Sequence, residues 1–357
     1  MNKIIFTGGG SAGHVTLNLE LIPFFLEKGW KVTYIGSYGG IEKDLVKKFE
    51  QIEYKAIQTG KLRRYFSWKN LVDALRIPIG IIQAVGLVLQ QKPNVIFSKG
   101  GFVSFPVVVA GFLCGVPVVM HESDVTPGLA NKMSLPFVSK FFTTFEDTIK
   151  YVKDKSKVDC VGPVISDRFK GGNKKRALSI LQFKEDKPII MFMGGSLGAK
   201  SLNEAVRKNI AALLQKYQVI HLCGKGQEDA SIQFDGYRQF EYVDKELKDF
   251  MKAADIVISR AGSNAIFELL SQNKPMVLVP LPVGSSRGEQ MLNAKSFQAK
   301  GYCEIIADED LIHSQIFMET VDKVYKNKDK YISAMKNNIF HSMSNIELAR
   351  KIESFIK

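Results

Sequence analysis

Short apolar runs that end in glycine, each followed by a helical stripe, recur along the chain. Ile4, Ile5 and Phe6 read as a buried strand. Gly8, Gly9 and Gly10 then allow a tight turn and close approach of another group to the backbone. Val15, Leu19, Ile22 and Leu26 carry the next helical stripe, with Ser11 as its N-cap. Further strands are predicted at 31–36, 53–57, 94–97, 116–120, 141–144 and 158–161, with a helix over 42–49. This alternation predicts a parallel sheet covered by helices on both faces.

The pattern then begins again. A strand at 188–193 leads into Gly194-Gly195-Ser196-Leu197-Gly198, and one at 218–223 ends in Gly224-Lys225-Gly226. A strand at 255–259 leads into Arg260-Ala261-Gly262-Ser263 and a helix through Leu270, and a strand at 275–280 precedes a loop and helix start through Gln290. IIFTGGGSAGH echoes IIMFMGGSLGA, and VIFSKGGFVS echoes IVISRAGSNA. The expectation is an α/β chain of two Rossmann-like domains facing across a cleft, 1–163 and 164–344, divided in the Gly/Asn/Lys-rich stretch 162–175. A last helix at 345–357, whose packing partner the residues leave open, is assigned back to the first domain.

Length, 357 residues, suits two domains with proper cores. Hydrophobic content of 45% and charged content of 24% describe a globular chain. Cys114, Cys160, Cys223 and Cys303 stand far apart with no C-x-x-C pair, which fits a reducing cytoplasm and suggests neither disulfides nor zinc. The first ten residues contain no signal-peptide core.

Net charge is +13, and within 61–99 seven basic residues face one acidic residue. Arg63, Arg64, Trp68 and Lys69 there precede an apolar helical run at 77–90, a pairing that suits an anionic membrane surface. An ordinary core helix with solvated charges explains the same residues. No nucleic-acid motif accompanies the charge, so nucleic acid is not an expected partner. The uncharged run 100–120 is long enough to span a bilayer. Pro106, Pro117, Gly111, Gly115 and Ser104 interrupt it, and a short helix from Pro106 followed by a buried strand accounts for it better.

Ligands of open parallel sheets bind beyond the carboxyl ends of the strands, where the glycine turns fall. Unpaired N–H groups at the first glycine turn suit an anionic or polar ligand, and the helix N-termini at Gly194–Ser196 and Gly262–Asn264 suit a diphosphate without a metal. The first turn lacks the full dinucleotide fingerprint. Glu268, about two helical turns after Gly262, could accept from ribose hydroxyls or be a solvated helical glutamate. Gln290 and Asn293 share a helix face and could bond sugar hydroxyls or serve only the surface. Asp308-Glu309-Asp310 has D-x-D spacing but reads more easily as a helix start than as a metal site.

GGGSAGHV, SKGGFVSFP, HESDVTPGLANK, GGSLGAKSLN, SRAGSNAIFE and SRGEQMLNA, in this order over nearly the whole chain, resemble the MurG family. These are the undecaprenyldiphospho-muramoylpentapeptide β-N-acetylglucosaminyltransferases of peptidoglycan synthesis, in glycosyltransferase family 28. The resemblance implies the GT-B fold, with acceptor and membrane on the first domain and UDP-GlcNAc on the second. It implies inverting transfer of GlcNAc to lipid I, giving lipid II, by a peripheral enzyme at the cytoplasmic face of the cell membrane, with no cofactor and no metal. It places Ser11, Ala12 and Gly13 at the donor sugar and diphosphate, Gly195 and Ser196 at phosphate, and Val243 at the uracil. Gly262, Ser263, Asn264, Ala265 and Glu268 would cradle the nucleotide, with Glu268 on the ribose, and Gln290 would hold GlcNAc. Gly100, Gly101, Ser104 and His121 join Arg63, Arg64, Trp68 and Lys69 on the acceptor and membrane side. Two departures stand out: many relatives have Asn at Asp124 and Arg at Ser166, so Ser166, placed on the donor side, stands where its relatives have a phosphate partner.

Inversion needs in-line attack by the muramic acid 4-hydroxyl, a base for its proton, and stabilisation of departing UDP. His14 is the first choice of base because a histidine titrates near working pH. Glu122 or Asp124 is second, with His121 orienting either. The rival readings are a GT-B enzyme with another lipid acceptor such as diacylglycerol, a UDP-GlcNAc 2-epimerase, and a non-catalytic nucleotide-sugar-binding subunit.

Overall fold

The computed structural model describes residues 1–60, 68–165, 171–195, 198–282, 284, 287–337 and 342–356, with only the backbone described at 12 and 68–74. The chain divides into two units, Met1–Val164 with His341–Lys357, and Ile165–Phe340.

The first unit holds strands β1 (Lys3–Thr7), β2 (Lys31–Ser37), β3 (Glu53–Ile57), β4 (Val95–Ser98), β5 (Val118–Glu122), β6 (Lys140–Thr143) and β7 (Val158–Cys160). Its helices are α1 (Thr16–Glu27), α2 (Ile41–Val46), α3 (Trp68–Gln91), α4 (Phe105–Leu113) and α5 (Leu129–Ser134). The sheet runs β3-β2-β1-β4-β5-β6-β7, and every pairing is parallel. The chain starts in the middle, builds outward to β3, then crosses back through α3 to set β4 beside β1. That reversal leaves a crevice at the carboxyl ends of β1 and β4, the place where open α/β sheets bind ligands.

Strand residues alternate between two cores, so the strands are apolar on both faces. Ile4, Phe6, Phe97, Val119 and Phe142 pack against Leu21, Ile22 and Phe25 of α1. Ile5, Ile96, Val118, Met120 and Phe141 pack against Ala84 and Val88 of α3 and Val107 and Val108 of α4. Val15 and Ile22 of the expected α1 stripe are buried, while Leu19 and Leu26 pack at the rim and Leu17, Leu21 and Phe25 take the centre. Gly80 lets α3 cross close over the chain, since a Cβ there would collide with Gln58 O. The uncharged run 100–120 divides into a glycine turn, α4 and the start of β5. No described helix is long and apolar enough to cross a membrane.

The second unit holds β8 (Ile189–Met193), β9 (Gln218–Leu222), β10 (Tyr237–Phe240), β11 (Ile256–Arg260), β12 (Met276–Val279) and β13 (Cys303–Ile305). Around them lie α6 (Lys174–Leu181), α7 (Lys200–Lys216), α8 (Leu247–Ala253), α9 (Ser263–Ser271), α10 (Glu289–Ala299), α11 (Ser314–Lys326) and α12 (Lys328–Lys336). The parallel order β10-β9-β8-β11-β12-β13 repeats the logic of the first sheet, with its reversal between β8 and β11. β10 and α6 have no counterpart in the sequence reading, because neither carries a long apolar run.

The last helix, α13 (Asn345–Glu353), belongs to the first unit. Leu348, Ala349 and Ile352 enter the α1 side of its core, and Phe355 meets Phe142 edge-on with ring centroids 6.1 Å apart. Ser344 and Glu347 form a reciprocal capping box that starts the helix.

Candidate functional site

The crevice between β1 and β4 is built by two glycine turns that interlock. Gly9 N donates to Gly100 O at 3.3 Å. A Cβ on Gly101 would collide with Gly9 O and stand 3.0 Å from His14 Nδ1, and one on Gly100 would collide with Asn131 Oδ1. Gly100 and Gly101 have positive φ, +92° and +84° respectively, so backbone and space alike demand glycine there. The first turn is anchored from below. Tyr34 Oη donates to Gly8 O at 2.8 Å, and Asn18 Nδ2 donates to Thr7 O and to Tyr34 Oη, each at 3.1 Å.

Glu42 of α2 is the unforeseen part of this turn. Its side chain is fully buried, and its carboxylate accepts from Gly10 N at 3.2 Å and Ser37 N at 3.0 Å. A side chain on Gly9 or Gly40 would overlap that carboxylate. The N–H groups of Gly9 and Gly10, expected to be unpaired and open to an anionic or polar ligand, are therefore spent on protein acceptors, a carbonyl and a carboxylate. This turn suits hydroxyl groups better than a diphosphate.

Ser11 is not the cap of α1. It opens a short 3-10 turn, Ala12–His14, in which His14 N donates to Ser11 O at 3.1 Å, and α1 begins at Thr16 with Val15 in the cap position. Ser11 Oγ lies 3.0 Å from His14 Nδ1 and so orients the ring. Ser11 and Gly13 are exposed and His14 is half-buried, open to a ligand from one side.

Glu122 ends β5 and is buried. Its carboxylate accepts from Ser123 N at 2.9 Å, Asp124 N at 3.1 Å, Gly128 N at 3.0 Å and Asn131 Nδ2 at 2.9 Å. Four donors fill its lone pairs, so it shapes the turn before α5 and is a poor base, contrary to the expectation. Burial, with Asp124 beside it, raises its pKa. Ser104, expected at the acceptor surface, is buried and donates to Gly101 O at 2.8 Å. His121 is also buried, with Nδ1 2.8 Å from Lys99 Nζ, so both residues act from beneath the crevice. Arg63, Arg64, Ser166 and Ser196 lie outside the described residues, as do the side chains of Trp68 and Lys69.

In the second unit, Gly194 N donates to Leu222 O at 3.4 Å and Gly198 N to Gly195 O at 3.0 Å, closing a turn before α7. Gly195 has φ +86° and open space where a Cβ would stand. Beneath this turn His221 bonds Tyr237 Oη at 2.8 Å and Asn203 Oδ1 at 2.9 Å, and Asn203 Nδ2 donates to Cys223 O. Burial first, then the charge of Arg207, pushes His221 down to about 3, so it is neutral.

Gly262, extended at φ −68° and ψ 137°, caps α9, and its O accepts the first helical bond from Ile266 N. Ser263 is buried, Asn264 exposed, and Ala265 and Glu268 half-buried along the first two turns. Val243 is buried. Gln290 Oε1 accepts from Leu281 N at 3.1 Å. Asn293, expected to share in sugar binding, is fully buried, and its Nδ2 donates to Ala261 O at 3.3 Å. It latches α10 to the turn that opens α9, which sets Gln290 near that helix start. Asp308 of the D-x-D run is held by Arg260 at 2.5 Å and by Ser201 Oγ at 2.7 Å. Among the described residues no cluster of three metal-type side chains occurs.

Residues 4–143 match the glycosyltransferase family 28 N-terminal domain and residues 189–349 its C-terminal domain. A Bacillus cereus protein named UDP-N-acetylglucosamine–N-acetylmuramyl-(pentapeptide) pyrophosphoryl-undecaprenol N-acetylglucosamine transferase 2 is 52% identical over 337 residues, 94% of this chain and 95% of its own. A Clostridium tetani protein of the same name, without the final number, is 51% identical over 339 residues, 95% of this chain and 94% of its own. Among solved structures, Acinetobacter baumannii MurG aligns with TM-score 0.76 at 21% identity, over 99% of this chain and all of that one. The expected architecture of two parallel-sheet α/β domains of the GT-B class is the one observed.

Proposed function

The chain belongs to glycosyltransferase family 28 and is an N-acetylglucosaminyltransferase of peptidoglycan synthesis, and from that premise we propose how its residues carry the reaction. The enzyme moves GlcNAc from UDP-GlcNAc to the undecaprenyl-diphosphate-linked muramyl pentapeptide, lipid I, giving lipid II. The observation that carries the mechanistic reading is His14, half-buried and oriented by Ser11 against two interlocked glycine turns at the β1/β4 reversal. His14 takes the proton of the attacking 4-hydroxyl, and the transfer inverts the anomeric centre. Ser11, Ala12 and Gly13 meet sugar hydroxyls in this reading rather than the diphosphate, because Glu42 stands behind the turn.

The second unit holds the donor. The N-terminus of α9 at Gly262–Ala265 and the turn at Gly195 offer N–H groups and a partial positive charge to the departing diphosphate. Glu268 takes the ribose hydroxyls, Gln290 the GlcNAc hydroxyls, and the backbone at Val243 the uracil. Transfer proceeds without a metal bridge at 308–310, since Asp308 is committed to Arg260 and Ser201.

The acceptor is reached from a membrane. Along α3, Leu75, Ile79, Ile82 and Leu89 form a stripe 67%, 48%, 73% and 60% exposed, opposite the buried stripe Gly80, Ala84 and Val88. An exposed apolar stripe that follows the basic run 61–69 in sequence suits insertion among anionic headgroups, at the cytoplasmic face where UDP-GlcNAc is made available. His14→Ala tests the reading. Loss of a positioned base costs about 10²–10⁴-fold in kcat, while KM for UDP-GlcNAc stays near that of the wild type. A kcat within about threefold of wild type would remove His14 from the role.

A further inference from the structure

The β1/β4 reversal contains a charge that the mechanism above leaves unused. Lys99 follows β4 directly and is 3% exposed. Its backbone N donates to Thr7 O at 3.0 Å, and its Cβ lies 3.2 Å from where a Cβ on Gly8 would stand, so its stem runs beneath the turn that carries His14. At the other end Nζ lies 2.8 Å from His121 Nδ1 and bonds Ser123 Oγ.

An ammonium has donors only, so His121 Nδ1 accepts and the imidazole proton sits on Nε2. Nε2 is buried and has no hydrogen-bond partner among the described residues. A buried donor left unsatisfied costs about 1–3 kcal/mol, and here the ammonium dictates the tautomer that leaves it so. Burial, and then the charge of Lys99, keeps the pKa of His121 well below the usual histidine range, so the ring stays a neutral acceptor and the ammonium finds its counter-charge elsewhere. A buried ammonium needs one. The charged groups that act on it are Glu122 and Asp124 in the turn after β5 and Glu20 of α1, and His14 lies across Gly101. Glu122 acts on the ammonium most strongly and also holds its own turn through four donors, and Asp124, further along that turn, is the second carboxylate that acts on it.

We propose that Lys99 is a positioning residue for the transfer reaction: its ammonium ties His121 and Ser123 to the strand ends and, with Glu122 and Asp124 as its counter-charges, fixes the 121–124 turn at the carboxyl edge of the sheet on which the His14 turn also stands. The proposal rests on the functional reading above. Burial lowers Lys99 to about 8, against the opposing pull of Glu122, Asp124 and Glu20, so the ammonium is lost within an accessible pH range.

The test measures kcat and KM from pH 6.5 to 10 for wild type, Lys99→Met, Asp124→Asn and the double variant, with thermal unfolding of each. Wild-type kcat is expected to fall above pH about 8 as the ammonium deprotonates. Asp124→Asn removes a charge that favours the ammonium, so this alkaline limb moves to lower pH. Lys99→Met lowers kcat about tenfold at pH 7.5 and abolishes the limb, with KM for UDP-GlcNAc within about twofold of wild type, and Asp124→Asn in that background restores about threefold. A limb unmoved by Asp124→Asn, or a Lys99→Met kcat within about threefold of wild type, overturns the proposal. Should Lys99→Met fail to fold, the limb of Asp124→Asn decides alone. A wild-type chain that transfers nothing to lipid I would instead defeat the functional reading, and this inference with it.

Discussion

His14 owes its position to residues that need not touch a substrate. Ser11 orients its ring, Gly101 leaves it room, and Glu42 pins the turn through Gly10 N. The same holds for the turn after β5, whose N–H groups converge on Glu122. Glu122→Ala would leave buried donors unsatisfied and should destabilise the enzyme by about 3 kcal/mol, measured by denaturant unfolding. A loss under about 0.5 kcal/mol would show that the carboxylate is dispensable. His221 makes a pH prediction. Its folded value, about 3, lies below the ordinary histidine value near 6.5. The unfolded chain therefore binds the extra proton between those limits, and the stabilisation held above pH 6.5 is lost as pH falls toward 3. Thermal scans at pH 6.5, 5.5 and 4.5 should show a falling midpoint, with a shallower fall in His221→Gln. Equal slopes would mean that His221 is not the group responsible.

Legibility at this scale was partial. The glycines, His14 and Gly262 stand in motifs whose geometry follows from turn chemistry. Lys99 and Glu42 were missed because periodicity treats charge as solvated surface. The one signal for Lys99 is its isolation, as the sole charged residue between Lys92 and Glu122. Asn293 misled for the opposite reason, since an amide on a helix face bonds a buried carbonyl as readily as a sugar.

Helices and strands were read best where the apolar pattern is long. The run 100–120 resolved into α4 and β5 because its prolines and glycines forbid a continuous span. β10 escaped notice, since Tyr237–Phe240 takes its place from pairing with β9 and has no apolar run of its own. The partner of α13 is a tertiary fact that no local pattern encodes. Leu348 lies fully buried in the first unit's core, so Leu348→Ala should cost about 2–5 kcal/mol. Calorimetry should place that loss in the unit formed by Met1–Val164 and the C-terminal segment. A loss confined to the other unit would contradict the packing. For α3, Leu75→Ser, Ile79→Ser and Ile82→Ser together remove the exposed apolar stripe. Each side chain withdrawn from lipid is worth about 1.5–3 kcal/mol. Flotation with anionic vesicles should show binding reduced more than about tenfold, with little change in UDP binding. Unchanged flotation would rule out this helix as the contact.

At the scale of the whole molecule, the two sheets place their reversals at the two glycine-turn sites, and the proposed division of labour rests on what each site offers. The first presents a histidine over a turn backed by a carboxylate, and the second presents helix N-termini and N–H groups. UDP should therefore stabilise the second unit, by about 2.7 kcal/mol at a hundredfold excess over Kd. Stabilisation of the first unit alone would reverse the assignment. The most direct measurement is transfer of radiolabelled GlcNAc from UDP-GlcNAc to a short-chain lipid I analogue with EDTA present, alongside diacylglycerol as a competing acceptor. The account predicts label in a β-1,4-linked disaccharide lipid and none in diacylglycerol. Label in diacylglycerol, release of UDP-ManNAc, or transfer abolished by EDTA would contradict it.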